Sequence, residues 1–144
     1  MTDIAFHSGV PDKLAYACRL LRKAYRQNAK VIVSGPSDAL SRLDKTLWVF
    51  DDLEFIPHLY VRSGTPVPAP LRRTPIWLIE SGVEPLHHDV LLHLGDQPAE
   101  GHERFARLIE VVSDEEADRL AARQRWRHYE SNGHALTHHV AGVR

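Results

Sequence analysis

Lys30-Val31-Ile32-Val33-Ser34-Gly35 is the stretch whose reading decides the fold. A short run of β-branched residues closed by glycine has no polar alternation. It is the pattern of a strand buried on both faces, which parallel sheets supply. Upstream, Pro11-Asp12 opens a segment in which Leu14, Ala17, Cys18, Leu21 and Tyr25 recur every three to four residues. That spacing predicts an amphipathic helix from Asp12 to Gln27. Before it, Ile4-Ala5-Phe6-His7 followed by Ser8-Gly9 predicts a first strand. Downstream, Ser37 or Asp38 is placed to cap a second helix through Leu40, Leu43 and Leu47 to Trp48. Strand, helix, strand, helix in that order is read as a right-handed βαβ unit.

Farther out the signals are mixed. Phe50 to His58 is apolar and acidic and predicts irregular structure, and Ser63 to Pro75, with Gly64 and four prolines, predicts an extended, flexible loop. Ile76–Glu80, Asp89–Leu94 and Arg107–Val112 are the remaining strand candidates, which brings the expected sheet to about five strands. Ser113 with Glu116 forms a candidate capping box for a long C-terminal helix from about Asp114 to about Asn132, stopped by Gly133. Residues 134–144 are expected to be a loosely held tail, and the whole of 1–144 one domain.

Composition narrows the function classes. The chain has 144 residues, a formal net charge of -1 and 43% hydrophobic residues, the profile of an ordinary globular protein. A pI near 6.8 gives no polycation that would signal direct nucleic-acid binding. A lone cysteine, Cys18, excludes an intrachain disulfide and a CxxC metal site. The opening residues lack a basic region followed by a long apolar run, and no stretch has the length of a membrane span, so a cytoplasmic protein is expected.

Catalytic motifs find no anchor. Ser34-Gly35-Pro36-Ser37-Asp38 sits where a phosphate loop would, but it lacks the glycine spacing and the lysine, and Asp38 repels an anion. His87-His88 and His138-His139 are adjacent pairs whose rings point to opposite faces of a strand, so each pair offers one metal ligand per direction. There is no GxSxG, and Cys18 falls on the apolar face of the first helix. No metal and no cofactor are expected.

One stretch carries recognition chemistry. Arg119-Leu-Ala-Ala-Arg123-Gln-Arg-Trp126-Arg127 holds four arginines and a tryptophan with no acid. On a helix, Arg119, Arg123 and Arg127 stack on one face and Trp126 flanks it. The bland reading is a solvated charged face, yet such faces usually alternate in sign. Guanidinium groups beside an indole suit an acidic ligand with an aromatic or apolar end. Trp48 and Phe55 are either core or interface aromatics.

The chain resembles the chi subunit family of bacterial DNA polymerase III, an accessory protein of the clamp loader. The resemblance runs through the N-terminal strand, the Leu40–Trp48 helix, Phe55-x-Pro57-His58, the proline-rich loop, Glu110-Val-Val and Ala122-Arg123-Gln-Arg125-Trp126-Arg127-x-Tyr129 with Gly133 behind it. It implies a Rossmann-like, three-layer α/β/α domain and a non-catalytic adaptor without nucleotide-binding activity. It implies that one surface binds the psi subunit, and through psi the clamp loader, near Phe55 and Trp48. Another surface would bind the acidic C-terminal tail of single-stranded DNA-binding protein through Arg119, Arg123, Trp126, Arg127 and the turn at Gly133. The family often has tyrosine in place of Trp126 and lysine at the positions of Arg119 or Arg127, swaps that keep the charge and the aromatic wall. The resemblance leaves room for a helicase at the psi-facing surface, and places the protein at the nucleoid only through the replisome. Two rivals stand beside it. One is a module that binds single-stranded nucleic acid directly through the arginine helix; the other is a nucleotide-dependent enzyme with its ligand near Ser34–Asp38.

Overall fold

The computed structural model describes residues 2–141. Its elements are β1 (Asp3–Val10), α1 (Lys13–Arg26), β2 (Val31–Ser34), α2 (Ser37–Val49), β3 (His58–Val61), β4 (Ile76–Ile79), β5 (Val90–His93), β6 (Arg107–Ser113), α3 (Glu116–Ser131) and β7 (Leu136–Val140). All seven strands join one sheet in the order β3-β4-β2-β5-β6-β1-β7, and every pairing is parallel.

Strict alternation on strands buried from both sides builds the layers. Val31 and Val33 of β2, Ile76 and Leu78 of β4 and Leu92 of β5 pack with Ala17, Cys18 and Leu21 of α1 and Leu40, Leu43 and Leu47 of α2. The intervening Ile32, Trp77, Ile79 and Leu91 point the other way, into a second core shared with Ala122 and Tyr129 of α3. Helices thus cover both faces, the arrangement that parallel sheets require. Cys18 is fully buried, and burial pushes its thiol up to about 11, so it serves packing. Among the described residues, no helix is long and apolar enough to cross a membrane.

The structure corrects several expectations. The sheet has seven strands rather than about five. One addition, β3, begins at His58, the last residue of the segment read as irregular, and hydrogen-bonds along β4. The other, β7, is made from residues read as a loose tail; it is mostly exposed and held at the sheet edge by β1. Neither carries a strong local signal, because edge strands are short and half-solvated. β1 and β2 are not neighbours either, since β6 and β5 lie between them. The loop 63–75 contains a 3-10 turn at Ala69–Arg73.

Helix starts also differ from the sequence reading. Asp12 does cap α1, accepting from Ala15 N at 3.1 Å. Pro36, not Ser37 or Asp38, precedes α2, with no side-chain cap. The Ser113/Glu116 capping box does not form, because Ser113 is the last residue of β6 and Glu115 takes the cap position. The Asp118 carboxylate instead accepts from Ser113 N at 2.7 Å and pairs with Lys13 Nζ at 3.2 Å. These contacts fasten the start of α3 to β6 and α1.

Candidate functional site

α3 lies across the sheet on the side away from α1 and α2, and its orientation is set by the stripe Ala122, Arg125 and Tyr129, all buried. An arginine in that stripe needs a partner, since a buried unpaired charge is prohibitively costly. Glu110 of β6 supplies it. Arg125 and Glu110 are both fully buried, and Nε lies 3.2 Å from Oε1, an ion-pair distance without hydrogen-bond alignment. His93 Nδ1 of β5 lies 2.8 Å from the same Oε1, and the Tyr129 hydroxyl donates to Oε2 at 2.5 Å. That hydroxyl also accepts from Ala99 N at 2.8 Å, and Arg125 Nη1 donates to the Asp96 carbonyl at 3.2 Å. Burial, the Glu110 charge and its hydrogen bond push the Tyr129 phenol well above its usual range, so it stays a neutral donor. This network ties β5, β6 and the loop between them to one rotational setting of α3.

With that setting fixed, the opposite stripe faces an open groove. Arg119, Arg123, Trp126 and Arg127 line a cavity of about 440 Å³ together with Phe6, Ser8, Val112, Ala122 and His138. Four of the five residues assigned to an acidic-tail site therefore converge. The three arginines are exposed, and among the described residues none has an ion-pair partner. Trp126 is half-buried, its ring 5.2 Å from that of Phe6, so the indole forms a fixed apolar floor rather than a free arm. Among the described residues no carboxylate lines the cavity. The groove is thus positive above and apolar beneath, suited to a chain bearing carboxylates and an aromatic end.

Gly133 does not line the groove. Its φ is +85°, and with Gly133 N donating to Glu130 O at 3.0 Å and His134 N to Tyr129 O at 3.2 Å it closes α3 in a Schellman turn. Its contribution is indirect: the turn sends the chain into β7. Phe6, Ser8 and His138 are not read from the sequence as groove residues. They come from strands at opposite ends of the chain, and only the β1–β7 pairing puts them across from α3. Arg125, counted with the basic run, belongs to the core. The signal that could have revealed it is the i, i+3, i+7 stripe through Ala122 and Tyr129.

A second surface lies at the far end of α2. Trp48 is 54% exposed and Phe55 59%, with ring centroids 5.3 Å apart. Both are therefore surface residues. Val49 and Leu53, the latter 98% exposed, are the other large apolar side chains this segment leaves in water. The loop beneath is held by Asp51, which accepts from Leu53 N and Glu54 N and pairs with Arg22 of α1. Backbone donors chiefly hold its carboxyl below the usual range.

The doubly wound sheet also has its expected cleft at the ends of β2, β4 and β5, about 350 Å³ in volume. It is lined by Glu80, Glu84, Asp96 and Glu100, with Arg104 already paired to Glu84. A Cβ on Gly35 would sit 3.2 Å from Leu94 Cβ, so this glycine serves close packing of two loops. Four carboxylates oppose a phosphate there. Among the described residues no three His, Cys, Asp or Glu side chains converge as a metal cage. His138 and His139 face opposite sides, His138 the groove and His139 the ring of His7.

A family model described as DNA polymerase III chi subunit, HolC, matches residues 1–137. The DNA polymerase III subunit chi of Pseudomonas aeruginosa is 34% identical over 129 residues, covering 88% of this chain and 85% of that protein. The subunit chi of Haemophilus influenzae is 28% identical over 122 residues, covering 84% and 82%. Among solved structures, Mss116p DEAD-box helicase domain 2 bound to an RNA duplex aligns over all of this chain and 65% of its own, with a TM-score of 0.63 and 11% identity. At that identity the likeness concerns the fold alone.

Proposed function

The chain belongs to the chi subunit family of DNA polymerase III, and from that premise we propose that it works as a non-catalytic adaptor with two separate docking surfaces. The α3 groove takes the acidic C-terminal tail of single-stranded DNA-binding protein. The Trp48–Phe55 patch takes the psi subunit, which carries the adaptor to the clamp loader.

The observation that carries the reading is the groove's charge pattern: Arg119, Arg123 and Arg127 around a half-buried Trp126, with no carboxylate from the described residues in the lining. Such a tail offers aspartates, a terminal carboxylate and an aromatic side chain. Arg123, central in the stripe, is placed to hold the terminal carboxylate as a two-pronged pair. Arg119 and Arg127 draw in the aspartates, which makes association sensitive to salt. The aromatic ring lies against Trp126. The psi assignment draws support from exposure, since the stacked Trp48 and Phe55, with Val49 and Leu53 exposed in the same short segment, leave large apolar groups in water unless a partner covers them.

The test is a fluorescence titration with a labelled acidic peptide ending in phenylalanine, on wild type and Arg123→Ala. Arg123→Ala should weaken binding by about 2 kcal/mol, roughly thirtyfold, as loss of a central interface arginine does. A change below about 0.5 kcal/mol sinks the assignment. If wild type ignores the peptide but binds bare single-stranded DNA with a steep salt slope, the arginine helix is a phosphate-binding surface instead.

A further inference from the structure

The groove has a second wall that the arginine stripe does not explain. Across from α3, Ser8 Oγ of β1 and His138 Nε2 of β7 lie 2.6 Å apart. The His138 ring stands edge-on to Trp126 with centroids 6.5 Å apart, so it borders the place where an aromatic ligand group would rest. Parallel pairing sets this: Phe6 is in register with His138 and Ser8 with Val140. His138 is exposed, and it lies one residue beyond the span that the family model matches.

We infer that Ser8 and His138 form a carboxylate clamp opposite Arg123 and that His138 takes up a proton when an acidic tail enters the groove. The inference rests on the tail-binding reading above. In a neutral His138 ring protonated at Nδ1, the Ser8 hydroxyl donates to Nε2 and is used up. In the imidazolium, Nε2–H donates to Ser8 Oγ instead, which frees the serine proton for a ligand carboxylate, while the ring adds a positive charge. The groups facing His138 set the direction of the linkage. Arg119, Arg123 and Arg127 of α3 line the same cavity, Ser8 of β1 bonds the ring, Phe6 lines the floor, and the neighbouring His139 turns away towards His7. A ligand carrying several carboxylates brings negative charge beside the ring, which favours the imidazolium.

The experiment uses the full chain and an acidic peptide bearing aspartates and a C-terminal phenylalanine. Affinity is measured at about pH 7.5 and about pH 5.5, a window in which imidazole titrates while peptide carboxylates stay ionised. The His138 ring is followed by NMR with and without peptide. Wild type should bind about fivefold tighter at the lower pH, with the His138 titration moved upward by the peptide. His138→Asn keeps a polar partner for Ser8 but cannot titrate, so it should lose that gain, while His139→Asn should retain it. Wild-type binding with no pH dependence, or an equal dependence in His138→Asn, overturns the inference and leaves the tail reading standing. No peptide binding by folded wild type at either pH overturns the tail reading, and the clamp with it.

Discussion

Arg123 and Arg125 are two residues apart and alike in type, yet the structure gives them opposite roles. Arg125→Met separates those roles. Methionine keeps most of the side-chain volume, so the change chiefly removes the guanidinium. What remains is Glu110, fully buried, still near His93 Nδ1 at 2.8 Å and still accepting from Tyr129 at 2.5 Å, but without its arginine. Breaking a buried pair from one side costs about 3–5 kcal/mol, and the two surviving partners place this case near 3. The Asp96 carbonyl, which accepts from Arg125 Nη1 at 3.2 Å, loses a bond as well. For a chain of this size such a loss lowers the melting temperature by roughly 10 °C. Urea unfolding followed by circular dichroism reads the difference directly. Arg125→Met with Glu110→Gln should recover part of it, because the stranded carboxylate is the main penalty. Arg123→Ala, at an exposed position, should change stability by less than about 0.5 kcal/mol. An Arg125→Met protein within about 1 kcal/mol of wild type would refute the claim that this buried pair sets the rotation of α3.

Three further outcomes are expected. Leu53→Asp should leave stability within about 0.5 kcal/mol, because the side chain is almost wholly exposed, yet weaken capture of psi at least about tenfold in a calorimetric titration; unchanged affinity would remove psi from this patch. His7, whose Nδ1 lies 2.6 Å from the Tyr16 hydroxyl, has its pKa lowered from 6.5 to about 4, first by burial and then by His139 and Arg107. On acidification the unfolded chain therefore binds the proton first. The stability His7 contributes is present above pH 6.5 and lost progressively towards pH 4, and His7→Gln should flatten that decline in pH-dependent urea melts. Gly133→Ala meets no atom within 4 Å of its new Cβ, so only the left-handed φ of +85° opposes it. The cost should be about 1 kcal/mol in unfolding experiments, and Gly133→Asn should cost less.

Much of this molecule could be read from residues a few positions apart. The β-branched run at Val31–Val33, the apolar spacing of Leu14 to Tyr25 and the acid-free arginine stretch each report a local periodicity. Local periodicity fixes element type and which residues share a face. Hence α1, β2, α2 and the Arg119–Arg123–Arg127 stripe with Trp126 all lie where the sequence puts them. The same logic applied to Arg125, about 200° around the helix from Arg123, points it away from the stripe. Tertiary structure decided what that direction meets: an inward-facing Glu110 on a strand between β5 and β1. It also decided the second wall of the groove. Ser8 and His138 are separated by 130 residues, and no spacing in the chain connects them. Edge strands such as β3 and β7 form because a neighbouring strand offers unpaired backbone donors and acceptors, an opportunity created by the rest of the sheet rather than by their own residues. Local sequence thus determines the elements and the chemistry each face carries, while non-local pairing decides which faces meet and so which charges are buried and which are left for a partner.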